Sequence, residues 1–185
     1  GSPEVWNNLG GVAMAQGDYR TAVTHFEKAL SLNPDLVFAL VNAGQAYSRL
    51  NDNSSAEKYL RRAIEIGEPD ADVADQLGLI LARSGRTTEA KSWFQKALAL
   101  DRAHASAINN LGVLYMMTGE PNEAIAAFRY GISVAPRSER LYQNLASLYL
   151  RQGRRDRARA VLEQLLEVDP SSELAQKGLL ELNRQ

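Results

Sequence analysis

Small and large apolar residues return every 34 residues along this chain. One column is glycine or alanine, a second is always alanine, and a third is always phenylalanine or leucine. The three columns read Gly10, Gly44, Gly78, Gly112 and Ala146; Ala22, Ala56, Ala90, Ala124 and Ala158; and Phe26, Leu60, Phe94, Phe128 and Leu162. Residues of different size hold one period without insertion from residue 3 to residue 172. The chain is therefore predicted to contain five repeats of one structural unit.

Two further columns mark the start and the middle of each repeat. The bulky column reads Trp6, Leu40, Ala74, Ile108 and Tyr142, and the turn column reads Gly17, Asn51, Gly85, Gly119 and Gly153. Ala74 is the exception in the bulky column. The turn column divides each repeat into two halves of helical length, because glycine and asparagine suit positions where a helix ends.

The first repeat shows the two predicted helices. Its first set of core residues recurs at spacings of three and four, as on one face of a helix: Trp6, Leu9, Gly10 and Ala13. Gly17 ends this helix, Asp18 is suited to cap the next one, and Pro34 stops it. In the second repeat, the Ser54-to-Glu57 spacing predicts a capping box at the start of the second helix.

These signals fix the expected organisation of the chain. We predict residues 1–2 as a remnant of cloning, repeats at 3–36, 37–70, 71–104, 105–138 and 139–172, and a capping helix at 173–185. In this last helix Leu180 falls in the glycine column, and its bulk disfavours another closely packed helix. No matching cap precedes the first repeat, which favours a fragment of a longer protein.

The columns resemble the tetratricopeptide repeat family. The first repeat carries the signature as Trp6, Leu9, Gly10, Ala22, Phe26, Ala29 and Pro34, although Ala13 stands where the family has an aromatic residue. The resemblance covers residues 3–172. It implies an all-α fold, a right-handed α-solenoid superhelix of five helix–turn–helix units plus a C-terminal capping helix. It also implies that first helices line a concave groove for proteins or peptides.

Composition excludes several classes of protein. The formal net charge is -1, so nucleic acid is not favoured as the main partner. The chain has no cysteine, which excludes disulfides and thiolate metal sites. No apolar run approaches the roughly 20 residues of a membrane span, so we expect a soluble protein without membrane insertion. A cytoplasmic location is favoured over a periplasmic one, and the Ala- and Arg-rich composition favours a bacterial source.

A column of carboxamides lies opposite the core on the predicted first helices, given about 100° per residue. It reads Asn8, Asn42, Gln76, Asn110 and Asn144. A carboxamide donates and accepts hydrogen bonds, so the column can pair with the backbone of an extended peptide. It is similar to the asparagine ladder in protein O-linked N-acetylglucosamine transferases. Alternatively, these amides only bond neighbouring backbone.

Apolar and basic residues flank the carboxamides. Leu79, Val113, Met116 and Met117 are predicted to form an apolar patch, although Met116 also fits a place in the packing between repeats. Methionines adapt to different apolar side chains. The full set of predicted groove residues is Asn8, Asn42, Gln76, Asn110, Asn144, Arg49, Leu79, Arg83, Val113, Met117, Arg140 and Arg151.

No residue pattern points to catalysis, a cofactor or a metal. His25 is expected to face outward and His104 lies at a repeat junction; neither belongs to a ligand motif. The two-carboxylate clamp of chaperone-tail binders is absent, since in the window that starts at Asp75 only Asn110 and Arg140 match it. Residues 137–159 hold seven arginines against two acids, a net charge of +5, which leaves nucleic acid as a weak alternative.

Three functions remain open from the sequence. The leading hypothesis is a non-catalytic scaffold that binds an extended segment of a partner protein in its groove. The second is a substrate-recruiting arm of a larger enzyme, such as a protein glycosyltransferase. The third is self-association through the uncapped first repeat, where Val5 and Trp6 would be exposed.

Overall fold

Residues 1–184, which the computed structural model describes, form eleven α-helices and no strand. The helices are α1 (Pro3–Ala15), α2 (Tyr19–Leu32), α3 (Val37–Arg49), α4 (Asn53–Ile66), α5 (Ala71–Arg83), α6 (Thr87–Leu100), α7 (Ala105–Met117), α8 (Pro121–Val134), α9 (Glu139–Arg151), α10 (Arg155–Val168) and α11 (Glu173–Arg184). The predicted all-α class is confirmed.

The helices gather into two compact units. The first unit, Gly1–Leu100, contains α1–α6, and the second begins at Asp101 and contains α7–α11. Within each unit the odd-numbered helix packs on the even-numbered helix that follows it. Consecutive first helices also touch, whereas no comparable contact joins consecutive second helices in the described part of the chain. The first helices therefore line the inner side of each unit.

The glycine column makes room for the large residue of the paired helix. A methyl group on Gly10 would lie 2.4 Å from Cε1 of Phe26, and one on Gly112 would lie 2.4 Å from Cε1 of Phe128. The Phe26 and Phe128 side chains are fully buried. These distances are too short for any carbon–carbon contact. The helices of a pair therefore approach each other through glycine, which explains the column that the sequence shows.

The alanine column lies at the same contact on the second helix. All five of its members have no exposed surface: Ala22, Ala56, Ala90, Ala124 and Ala158. The carbonyl oxygen of Ala90 would lie 3.3 Å from a methyl group on Gly78. The backbone of the second helix therefore comes close to the first helix, and a larger side chain at either position would push the two apart.

Two predictions for the first helix pair are wrong. Leu9 is 44 % exposed, although the equivalent Ala43 and Leu145 are buried. The preceding helix pair covers those two residues, while no described helix precedes α1. His25 does not face outward: its ring lies 5.4 Å from that of Trp6, measured between centroids. The period of α1 was predicted from the sequence, but Leu9 was wrongly assigned to the core.

Turns and caps follow the sequence with one exception. The glycines of the turn column have φ between 71° and 79°, and Asn51 has φ 61°. Glycine adopts this left-handed region without steric cost, and asparagine tolerates it. Asp18 caps α2 by accepting from the Thr21 amide at 3.1 Å. The predicted capping box at Ser54 is wrong, because Asp52 accepts from the Ser55 amide at 3.0 Å and caps α4 two residues earlier.

The last helix packs in a rotated register. Leu180, in the glycine column, is 54 % exposed, and α11 approaches its neighbour through Gly178, where a methyl group would lie 2.8 Å from Leu162. Two residues of the arginine-rich run hold this helix. Arg155 donates to the carbonyl of Leu182 at 2.9 Å, and Arg159 donates to the Asn183 side chain at 2.7 Å.

A tyrosine cluster joins the first two helix pairs. The Glu27 carboxylate on α2 accepts from the hydroxyl of Tyr47 on α3 at 2.6 Å and from that of Tyr59 on α4 at 3.1 Å. The two rings stack with centroids 5.5 Å apart. Burial, the hydrogen bond and the negative charge of Glu27 raise the pKa of Tyr59 to about 12, and the same causes raise the pKa of Tyr47 further.

This cluster predicts a loss of stability in alkali. A phenol with a raised pKa stabilises the fold below its unfolded pKa of about 10. That contribution disappears as the pH rises from there through the folded pKa of Tyr59, about 12. In Glu27→Gln, the acceptor remains but the charge is gone, so the pKa of Tyr59 should fall toward its ordinary value. Tyrosinate absorbance against pH measures this shift.

The matched control is Glu163→Gln. Glu163 occupies the same position in the fifth repeat and is exposed. Its substitution should leave the tyrosine titration unchanged. Identical titration curves for wild type and Glu27→Gln would show that Glu27 does not hold the two phenols.

Candidate functional site

In the first compact unit the carboxamide column is partly engaged within the protein. Asn8 is exposed, while Asn42 and Gln76 are half-buried. The Asn42 side chain donates from Nδ2 to Oδ1 of Asn7 at 2.9 Å. The Oε1 atom of Gln76 is buried, and no hydrogen bond to it is formed by the described residues. The amides therefore connect neighbouring first helices as well as lining their surface.

The second unit repeats the same arrangement. Asn144 on α9 donates from Nδ2 to Oδ1 of Asn109 on α7 at 2.7 Å. Asn109 is buried, and Asn110 beside it is half-buried. Asn7 and Asn109 hold equivalent positions, as do Asn42 and Asn144. One hydrogen bond between carboxamides therefore recurs at the same place in both units.

Sequence reasoning missed the acceptors of these bonds. The sequence did contain a signal for them, the adjacent pairs Asn7–Asn8 and Asn109–Asn110. In each pair the first asparagine accepts a hydrogen bond from the asparagine of the next repeat. The bonds go to side chains and not to the neighbouring backbone that the alternative reading expected. Each donor amide keeps a second N–H and an oxygen with two lone pairs. The bond thus fixes the amide without using all of its capacity.

Basic and apolar side chains accompany the amides in the first unit. Arg49 and Arg83 are exposed, and Arg83 donates to the Ser48 hydroxyl at 3.2 Å. Leu79 is half-buried, and Phe38 at the start of α3 is 75 % exposed. An exposed aromatic ring and exposed guanidinium groups on the same unit can contact both apolar and acidic parts of a ligand.

The second unit presents its own apolar surface. Met117 at the end of α7 is 66 % exposed, whereas Val113 and Met116 are half-buried. Arg140 and Arg151, at the two ends of α9, are exposed. Met116 thus contributes to packing more than Met117 does. Met117 is the apolar side chain most available to a ligand on α7.

Both histidines have structural contacts. His104 accepts the Ala107 amide at Nδ1 over 3.1 Å and so caps α7. His25 packs on Trp6. Within residues 1–184, no three His, Asp or Glu side chains come together as metal ligands. None of the helices described is long and apolar enough to cross a bilayer.

Comparison with known proteins places the chain among tetratricopeptide repeats. The family model of the cilia and flagella-associated protein 70 C-terminal domain matches residues 2–178. Human tetratricopeptide repeat protein 16 is 36 % identical over 73 residues, which are 40 % of this chain and 8 % of that protein. The chain therefore matches less than a tenth of the length of this curated relative.

Solved structures resemble nearly the whole chain. The MamA protein is 27 % identical with a TM-score of 0.76, over 89 % of this chain and 90 % of that one. TTC0263, a thermophilic tetratricopeptide repeat protein in Thermus thermophilus, is 25 % identical with a TM-score of 0.73, over 97 % and 100 %. This second neighbour is bacterial, in agreement with the source that the composition favours.

Proposed function

Because the chain belongs to the tetratricopeptide repeat family, a family of protein-interaction scaffolds, we propose that it binds an extended segment of a partner protein along its first helices. The recurring carboxamide bond carries this proposal. Asn42 and Asn144 make the same side-chain bond in two separate units. A donor that is already oriented loses less conformational freedom when a ligand binds. The proposed role is binding without catalysis.

The spacing of the repeats suits an extended ligand. Packed helices lie about 8–10 Å apart, and a strand advances about 3.3 Å per residue. Three ligand residues therefore span one repeat, and a backbone group can meet a carboxamide at each step. Since carboxamides bond to the backbone, this contact is independent of ligand side chains.

Selectivity would come from the side chains around the amides. In the second unit Met117 offers a flexible apolar contact, and Arg140 and Arg151 offer positive charge on α9. We therefore propose that the preferred segment combines apolar residues with acidic ones. Methionine is suited to ligands whose apolar residues differ in shape.

The groove is tested with a displayed library of random twelve-residue peptides, followed by affinity measurements on the selected ones. Met117→Glu should weaken binding about tenfold or more, which corresponds to about 1.4 kcal/mol, by placing a charge against apolar and acidic ligand residues. Gln164→Glu is the matched control, since it adds the same charge on the exposed side of α10. The Asn42/Asn110/Asn144→Ala variant should lose affinity for all selected peptides.

Melting curves separate binding from folding in these variants. A triple variant that loses stability yet keeps every peptide would make the amides purely structural. Unchanged affinity in both Met117→Glu and the triple variant would refute the groove.

Self-association through α1 is a second candidate, favoured by one observation. Val5, Leu9 and Val12 lie on one stripe of α1 at spacings of four and three, and they are 50 %, 44 % and 56 % exposed. Trp6, in contrast, is half-buried and is not part of this stripe. A preceding helix pair or a second copy of the chain could cover the stripe.

Sedimentation over a range of protein concentrations tests this association. The mass of the wild-type protein should rise with concentration, and Leu9→Glu should keep it at that of the monomer. A wild-type mass that does not change with concentration would argue against self-association.

A further inference from the structure

One position in the first compact unit lacks the large side chain that its column supplies elsewhere. Trp6, Leu40, Ile108 and Tyr142 occupy the equivalent places, but α5 has Ala74. Leu40, Ile108 and Tyr142 are at most 4 % exposed, so this place normally takes a large apolar side chain into the interior. Ala74 lacks that side chain and is itself buried, with 3 % of its surface exposed.

An apolar pocket of about 690 Å³ lies beside Ala74. Its walls come from the start of α3, the end of α4, the start of α5 and the end of α6. They include Val37, Val41, Val73, Trp93 and Leu100, with the exposed Phe38 at the mouth. This volume falls within the range of about 300–1,000 Å³ that is usual for ligand sites.

Two cations lie near the aromatic wall of the pocket. The Lys96 ammonium lies 3.7 Å from the centroid of the Trp93 ring, and the Arg61 guanidinium lies 6.0 Å from it. These cations favour the face of the indole and restrict its rotation.

The mouth of the pocket carries acidic groups. Glu68 and Asp70, in the connection between α4 and α5, are exposed and line the opening. Asp70 also accepts the Val73 amide at 3.0 Å and caps α5. The cation among the lining residues, Lys96, lies over Trp93. The charge that the mouth offers a ligand is thus negative and complementary to a basic group.

The second compact unit provides an internal comparison. A cavity of about 440 Å³ lies there between α8, α9 and α10 and is lined in part by Arg129, Ser133 and Gln164. In that repeat the bulky column has Tyr142, which has no exposed surface. This cavity is smaller than the pocket beside Ala74, and Tyr142 is not among the residues that line it.

We propose that the pocket beside Ala74 is a second binding site, which takes one bulky apolar side chain of a partner polypeptide with a basic residue next to it. The lining indicates which group fits, because it is apolar apart from Glu68, Asp70 and Lys96. The acidic mouth selects the basic neighbour. This site goes beyond the proposed groove, since it lies at the ends of α4 and α6 and not on the carboxamide strip.

The test is a nitrogen-15 NMR titration of the full chain with the probe N-acetyl-tryptophanyl-lysine amide. Saturable shifts should appear at the Trp93 indole N–H and at the amides of Gly67 and Ala74. Ala74→Leu, which supplies the missing side chain, should weaken this binding about tenfold or more and keep or raise the melting temperature. Ala126→Leu is the matched control, because Ala126 is exposed on α8 and does not line the pocket.

The preference for a basic neighbour is tested in the same titration with a second probe. N-acetyl-tryptophanyl-glutamate amide should bind several-fold more weakly than the lysine probe, and Glu68→Gln should reduce this difference. Should Ala74→Leu fail to fold, Phe38→Ala, at the exposed mouth, replaces it and should weaken binding of the lysine probe. Binding that survives every one of these changes overturns the proposal.

Two other outcomes also decide against it. Shifts confined to the carboxamide column and its flanking residues would assign the probe to the groove. Equal binding of N-acetyltryptophan amide and both dipeptides would make the pocket a site for small apolar molecules. Failure of the groove proposal is distinguishable, because Met117→Glu should leave the shifts at Trp93 intact.

Discussion

The contact between the two helices of each pair is the constraint on which the rest of the structure depends. A phenylalanine or leucine from the second helix occupies the space where the first helix would carry a side chain, as Phe26 does over Gly10. Glycine in a helix costs about 0.5–1 kcal/mol relative to alanine, so its recurrence needs a steric reason. The closed space above the glycine supplies that reason in four of the pairs.

This contact determines which surfaces remain for partners. It commits one side of each first helix to the core, while the half-buried Asn42 and Asn144 bond to the neighbouring first helix. The size of each side chain in the bulky column also affects the packing, because helices that pack closely leave little spare volume. The one short residue of this column, Ala74, is among the residues that line the pocket of about 690 Å³.

The sequence predicts what repeats and misses what depends on a neighbour. The period located all the helix pairs and the buried alanines, since every repeat solves the same steric problem. The exposure of Leu9 and the contact of His25 with Trp6 depend on what lies beside α1, which no internal period can show. The hydrogen bond from Asn42 to Asn7 joins two repeats. The carboxamide column contains the donor Asn42 but not the acceptor Asn7. The side chains of the candidate groove were located on their helices, but their partners had to come from the structure.

The most direct test compares two adjacent glycines of α1 by urea unfolding. A methyl group on Gly10 would meet the Phe26 ring at 2.4 Å, whereas one on Gly11 would meet nothing within 4 Å. Gly11→Ala should raise the free energy of unfolding by about 0.5–1 kcal/mol, because only helix propensity changes. Gly10→Ala should lower it by about 1–3 kcal/mol through overpacking. If both substitutions stabilise the protein equally, the glycine column does not set the distance between the paired helices.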